Sequence, residues 1–195
     1  TLTDTDYSKQ IQAGGGNRFV SAAVAIGLSI LYNAGKKGAN ALNKWDLRFV
    51  KMARLISEWS SCMREGRSVG AVIVKDKRIM TTGYNGAPAG LKTCRERGEC
   101  MRDRLKIPSG TRTEMCYAIH AEQNAIIQAA KLGISIDGVT IYCTHQPCSV
   151  CAKMIVNVGI KRVVYEQAYP DAFSLEVFQE AGVQLEHFTP EKEAL

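Results

Sequence analysis

Two short β-type runs, Val69–Val74 and Ile79–Gly83, are separated by only Lys75-Asp76-Lys77-Arg78, and downstream of them helical and strand patterns alternate. Runs that close together must pair as an antiparallel hairpin. The patterns that follow are a helix over Ala118–Leu132 stopped by Gly133, a strand Thr140–Cys143, a helix Ser149–Asn157 and a strand Arg162–Tyr165. A helix over Ser174–Ala181, stopped by Gly182, and a strand Val183–His187 complete the order. Helix-connected strands run parallel, their crossovers are right-handed, and their helices must cover the sheet. The expected fold is therefore α/β, a three-layer α-β-α arrangement around a mixed five-stranded sheet. Ahead of the hairpin, Trp45, Phe49, Met52, Ala53, Ile56 and Trp59 form one apolar stripe at helical spacing.

The chain has 195 residues, 46% of them apolar, enough for one domain. That apolar content excludes a disordered chain, and no apolar run approaches the roughly 18 residues that span a bilayer. Residues 1–44, with Gly14-Gly15-Gly16 and the apolar stretch Val20–Leu31, read as an N-terminal extension, helical or partly disordered, outside a domain of residues 45–190. The stretch does not read as a signal peptide.

Charge is uneven. Residues 1–44 carry +3, residues 45–165 carry +9 and the last 30 carry −6. Residues 91–113 alone hold Lys92, Arg95, Arg97, Arg102, Arg104, Lys106 and Arg112 against three acids, which suits a phosphate-bearing ligand. The acidic end opposes binding of a polynucleotide.

Seven cysteines against three histidines, without a secretory leader, favour reduced thiols or metal ligands over disulfides, as in a cytoplasmic protein. Cys148 and Cys151 open a helix just after Pro147, three residues apart on one face. His120 opens the preceding helix, and helical side chains lean toward the N-terminus, so the two helix heads can converge on one ion. One imidazole and two thiolates leave a tetrahedral zinc with an open position, the catalytic arrangement. Glu122 is not needed as a ligand and is free to carry protons. His-x-Glu with Pro-Cys-x-x-Cys is the signature of zinc nucleobase deaminases.

From Trp45 to about His187 the sequence resembles the deoxycytidylate (dCMP) deaminases of the cytidine deaminase superfamily. The residues that carry the resemblance are Val69–Val74, Thr82-Gly83-Tyr84-Asn85-Gly86-Ala87-Pro88, His120–Ile126, Pro147–Lys153 and Gly159-Ile160-Lys161. The resemblance implies hydrolytic deamination of dCMP to dUMP with release of ammonia, supplying dUMP for thymidylate synthesis. Glu122 would take the water proton, deliver it to N3, and carry a second to the leaving amino group. Asn85 would touch the sugar and the backbone at Ala121 the pyrimidine edge, with His145 and Tyr169 facing substrate. Relatives often read Arg-Ser-x-Cys where this chain has Trp59-Ser60-Ser61-Cys62, which leaves Arg64 and Arg67 as candidates for the phosphate. The resemblance further implies a homo-oligomer, in many relatives a hexamer, and an effector site for dCTP or dTTP, the nucleotide accompanied by Mg2+. It also implies a second, closed zinc on Cys62, Cys94, Cys100 and Cys116 around the basic insert of residues 91–116. Four ordinary reduced thiols are the alternative. Cys143 reads as core and His187 as structural. A tRNA adenosine deaminase, another nucleoside or nucleotide deaminase of the superfamily, or a non-catalytic zinc-stabilised assembly protein are the competing readings. Retention of Glu122 opposes the last.

Overall fold

A computed structural model describes residues 42–108 and 110–189. The expected element order is present: α1 (Lys44–Ser57), β1 (Gly70–Lys75), β2 (Arg78–Tyr84), α4 (Ala121–Leu132), β3 (Thr140–His145), α5 (Ser149–Asn157), β4 (Arg162–Gln167), α6 (Ala172–Glu180) and β5 (Gln184–His187). Between β2 and α4 lie two single-turn helices, α2 (Cys94–Arg97) and α3 (Met101–Arg104). The sheet order is β2-β1-β3-β4-β5. β1 is antiparallel to β2 and β3, whereas β3, β4 and β5 run parallel, so the sheet is mixed and five-stranded as expected.

The hairpin turns on Asp76 and Lys77, both at positive φ (49° and 63°), the pairing that matches the twist of two-residue hairpin loops. Alternation along β1 then divides the core. Ala71 and Ile73 face α4, α5 and α6 in one apolar cluster, and Val72 and Val74 face α1 in the other. One helix therefore covers one face of the sheet and three cover the other, which is the three-layer α-β-α arrangement. Asn43 caps α1 reciprocally with Asp46, so the first helix begins just before residue 45. The apolar stretch Val20–Leu31 and its expected helix lie outside the described residues.

Two expectations shift. Helix α4 begins at Ala121 and not Ala118, because His120 takes the extended N-cap conformation with φ −74° and ψ 158°. Trp59 does not share the buried stripe: α1 ends at Ser57, and Trp59 is 59% exposed with its edge toward Tyr84.

Two glycines hold the layers together. A Cβ on Gly83 would land on the Ala121 carbonyl and the Ala125 nitrogen, and one on Gly70 would land on the Ala53 carbonyl. Strands β2 and β1 thus lie directly against the backbones of α4 and α1, which only hydrogen at those positions allows.

Candidate metal centre and active site

His120 and Cys148 are the N-cap residues of α4 and α5, held with extended backbones by the helices they open. Gln123 accepts from the His120 N–H at 2.9 Å, and Asp171 accepts from Ser149 N at 2.8 Å and Ser174 N at 3.1 Å, joining the starts of α5 and α6. These bonds fix both helix heads. His120 Nδ1 lies 3.4 Å from Cys148 Sγ and 3.3 Å from Cys151 Sγ. Among the described residues this is the one group of three His, Cys, Asp or Glu whose donor atoms gather within 4.8 Å. A tetrahedral zinc with ordinary bond lengths sets its nitrogen and sulfur ligands about 3.5 Å apart, so the donor set fits zinc in kind and in spacing.

The three groups are electrostatically coupled. Hydrogen bonding from Cys151, assisted by His120 and acting against burial, pulls the Cys148 thiol down to about 4. Its hydrogen bond to Cys148, opposed by burial, raises His120. The hydrogen bond to Cys148 together with burial holds Cys151 well above the ordinary thiol value. One thiolate is thus formed in place, the state a metal needs. Glu122, 4% exposed, is raised by burial. A carboxyl moved toward neutrality in this way is suited to passing protons.

His120, Cys148 and Glu122 open on one cavity of about 170 Å3, and Cys151 is fully buried beside them. Its walls include Asn85, Ala121, His145, Tyr169, Arg64 and Arg67, and also Cys62, Cys94, Cys100 and Cys116. Every site residue expected from the sequence except the fully buried Cys151 therefore borders the same space.

Their engagement differs. Arg64 is paired with Asp103, 3.2 Å from Nε to Oδ1, whereas the exposed Arg67 side chain has no protein partner among the described residues. Asn85 is committed to backbone: its Nδ2 donates to the Arg67 carbonyl and its Oδ1 accepts from Val69 N, each at 2.8 Å. Two of the four insert-region thiols are perturbed by the others: Cys62 is raised by burial and then by Cys116 and Cys100, and Cys94 by burial and then by Cys116, Cys100 and Cys62. They do not gather as tightly as the first cluster.

The basic insert is less available to a phosphate than its charge implies. Arg102, 7% exposed, donates to the carbonyls of Pro108, Thr111 and Arg112 at 2.8, 2.6 and 2.6 Å. Arg104 pairs with Glu99, Arg112 with Glu114, and Arg97 lies over the Tyr117 ring. The role of Arg102 as an internal clamp escaped the sequence, where it is one cation among seven. Cys143 is fully buried, and His187 stacks on Tyr165 and bonds the Glu166 carbonyl, so both serve structure as expected.

Residues 43–167 match the family model of the cytidine and deoxycytidylate deaminase zinc-binding region. The chain belongs to this family. It is 37% identical over 152 residues to a deoxycytidylate deaminase of Schizosaccharomyces pombe, covering 77% of this chain and 46% of that one. It is 41% identical over 143 residues to ComE operon protein 2 of Bacillus subtilis, covering 73% and 70%. A crystal structure of dCMP deaminase from the cyanophage S-TIM5 in complex with dCMP and dUMP superposes with a TM-score of 0.61 at 32% identity, covering 76% of this chain and all of that one. The chain spans about half the length of the curated yeast relatives it matches, 46% and 51%. Among the described residues no helix is long and apolar enough to cross a membrane.

Proposed function

We propose that the protein deaminates dCMP hydrolytically to dUMP. The observation that carries this reading is the convergence of His120, Cys148 and Cys151 beside a buried Glu122 at the edge of a cavity of about 170 Å3. The names of the deoxycytidylate deaminase relatives favour dCMP over a tRNA adenosine.

His120, Cys148 and Cys151 would hold a zinc ion, which when bound would supply a water acidic enough to act as a nucleophile near neutral pH. Glu122 would take a proton from the attacking water, hand it to the ring nitrogen N3, and then carry a second proton to the leaving amino group. Its burial raises the carboxyl above the ordinary glutamate value, which makes the protonated form easier to reach. Ala121, fully buried at the first turn of α4, presents backbone to the pyrimidine edge. Asn85 faces the sugar while bracing the segment that carries Arg67. Arg67 serves the phosphate in preference to Arg64, whose charge Asp103 already answers.

Cys62, Cys94, Cys100 and Cys116 form a second, structural zinc site in this reading. The electrostatic influence of Cys100 and Cys116 on Cys62 and Cys94, and the cavity all four line, support it. The test of the whole is ammonia release from dCMP, dCTP, deoxycytidine, CMP and a tRNA anticodon stem-loop. The proposal expects dCMP to give the highest kcat/KM, and a better rival overturns it.

A further inference from the structure

Thr144 stands at the buried end of a short hydrogen-bond chain that finishes on the cavity. The Gly70 N–H donates to Thr144 Oγ1 at 3.1 Å, and the same oxygen lies 3.0 Å from His145 Nδ1. Thr144 is 4% exposed, so its hydroxyl hydrogen needs an acceptor inside the protein. A hydroxyl offers one hydrogen and two lone pairs, and Gly70 fills one of the lone pairs. A hydrogen on Nδ1 would fill the other and strand the hydroxyl hydrogen, because among the described residues Thr144 Oγ1 has no further partner. The chain therefore runs in one direction, from the Gly70 N–H to the Thr144 O–H to His145 Nδ1. With Nδ1 accepting, a neutral imidazole carries its hydrogen on Nε2.

That nitrogen faces the cavity. His145 lines it, Nε2 has no protein partner among the described residues, and no buried side-chain nitrogen is left unsatisfied, so Nε2 is open to the enclosed space. Two charged side chains bear on the ring: Arg67, ahead of β1, and Glu166, on β4. Burial, with Arg67, lowers the imidazole below its ordinary value and so favours the neutral form. Arg67 also acts on the Tyr169 hydroxyl, which comes from the connection after β4. Three donors from three separate segments thus line one cavity, and among the described residues their side chains have no protein acceptor there.

We propose that Thr144 locks His145 in the Nε2–H tautomer and that this N–H, with Arg67 and Tyr169, receives the phosphate monoester of the nucleotide. The proposal rests on the dCMP reading of the site. A phosphate monoester presents three acceptor oxygens, which one guanidinium and two neutral donors satisfy. The opposite tautomer would turn a lone pair toward a phosphate oxygen. Thr144, which touches no substrate, is therefore a positioning residue that selects for phosphate through its neighbour.

The experiment pairs Thr144→Val, which keeps the shape and loses the hydroxyl, with Thr144→Ser, which keeps the hydroxyl. In the zinc-loaded, 15N-histidine-labelled protein, the His145 ring-nitrogen shifts should report an unprotonated Nδ1 and a protonated Nε2 in wild type and Thr144→Ser. Thr144→Val should lose that pattern. Its KM for dCMP should rise about 10- to 100-fold, the loss expected when a hydrogen bond to a charged group fails. Its kcat/KM for deoxycytidine, which has no phosphate, should stay at the wild-type value. A protonated Nδ1 in wild type overturns the lock, and that spectrum decides the point even if the valine variant does not fold. Equal losses on dCMP and deoxycytidine in Thr144→Val overturn the phosphate role. A wild type that ignores the phosphate overturns the dCMP reading and the phosphate role together, whereas the tautomer is judged separately by its shifts.

Discussion

The Nδ2 of Asn85 donates to the backbone carbonyl of Arg67 at 2.8 Å, and its Oδ1 takes the Val69 N–H at the same distance. One side chain thus pins the segment that delivers Arg67 to the rim of the cavity. Asn85→Ala should free that segment, lower stability by about 1–2 kcal/mol and raise the KM for dCMP more than it lowers kcat. Asn85→Asp should do no better, because it loses the donor to the Arg67 carbonyl and brings a negative charge toward the phosphate. Steady-state kinetics and a thermal melt on both variants measure this. An aspartate variant with wild-type KM would contradict it.

Glu122 is buried beside the metal-binding cluster but does not belong to it. Glu122→Gln keeps the volume and removes the proton shuttle, so turnover should fall by about 10² to 10⁴. Zinc content, read by elemental analysis of the same preparation, should match the wild type. Loss of zinc along with activity would make Glu122 a ligand.

The parts of the fold that were legible in the sequence are those whose signal is local or periodic. The α1 stripe, the hairpin and each of the two helix heads that carry His120, Cys148 and Cys151 follow from spacing within about 15 residues. Elements α2 and α3, four residues each, are too short for any period to register. Arg102 could not be separated from its cationic neighbours, since its burial depends on carbonyls up to ten residues away that turn inward around it. The Thr144 bond to Gly70 spans 74 residues, and the Asp46 bond to Arg162 spans 116. Pairings of that reach are set by the sheet order, which composition and periodicity leave open.

Gly83 makes a sharp test of how the site is positioned. A methyl there meets the Ala121 carbonyl and the Ala125 nitrogen, which are backbone atoms of the helix bearing Glu122 and capped by His120. Neither can swing away as a side chain would. Gly83→Ala should destabilise by roughly 1–3 kcal/mol, the range for overpacking, and weaken zinc retention by displacing α4. Chemical denaturation and a chelator competition give the two readings. Unchanged zinc affinity would mean that β2 does not set the position of His120.

Cys62, Cys94, Cys100 and Cys116 predict a metal count. Four thiolates complete a closed tetrahedral site, so the purified protein should carry about two zinc ions per chain. Cys100→Ser should remove one of them and loosen the insert, seen as faster proteolysis between β2 and α4. A wild-type count near one would leave the four as ordinary thiols.

Asp46 ties the first helix to strands β3 and β4 of the sheet it covers. Its Oδ1 accepts from the Tyr142 hydroxyl and from Arg162, each at 2.7 Å, and its Oδ2 accepts from Asn43 N at 2.8 Å. Arg162 in turn forks onto Glu186 at 3.0 and 2.7 Å. Burial by itself would raise the Asp46 carboxyl, yet the hydrogen bonds from Arg162, Asn43 and Tyr142 outweigh it and hold the group below its ordinary 3.8. A carboxyl depressed in the folded state binds its proton more readily when unfolded. Its stabilisation is therefore complete above pH 3.8 and disappears as the pH falls through the lower, folded value. Asp46→Asn places an amide donor against donors and leaves Arg162 with one carboxylate, which should cost about 3 kcal/mol at pH 7, the low end for breaking a buried pair. The gap between wild type and variant should then narrow below about pH 4, because protonation removes from the wild type what the substitution has already removed from the variant. Acid loss of zinc affects both proteins alike and cancels in the difference. Urea midpoints at pH 7 and on the acid limb measure that gap, and a gap that stays constant with pH would show that the Asp46 charge does not hold α1 to the sheet.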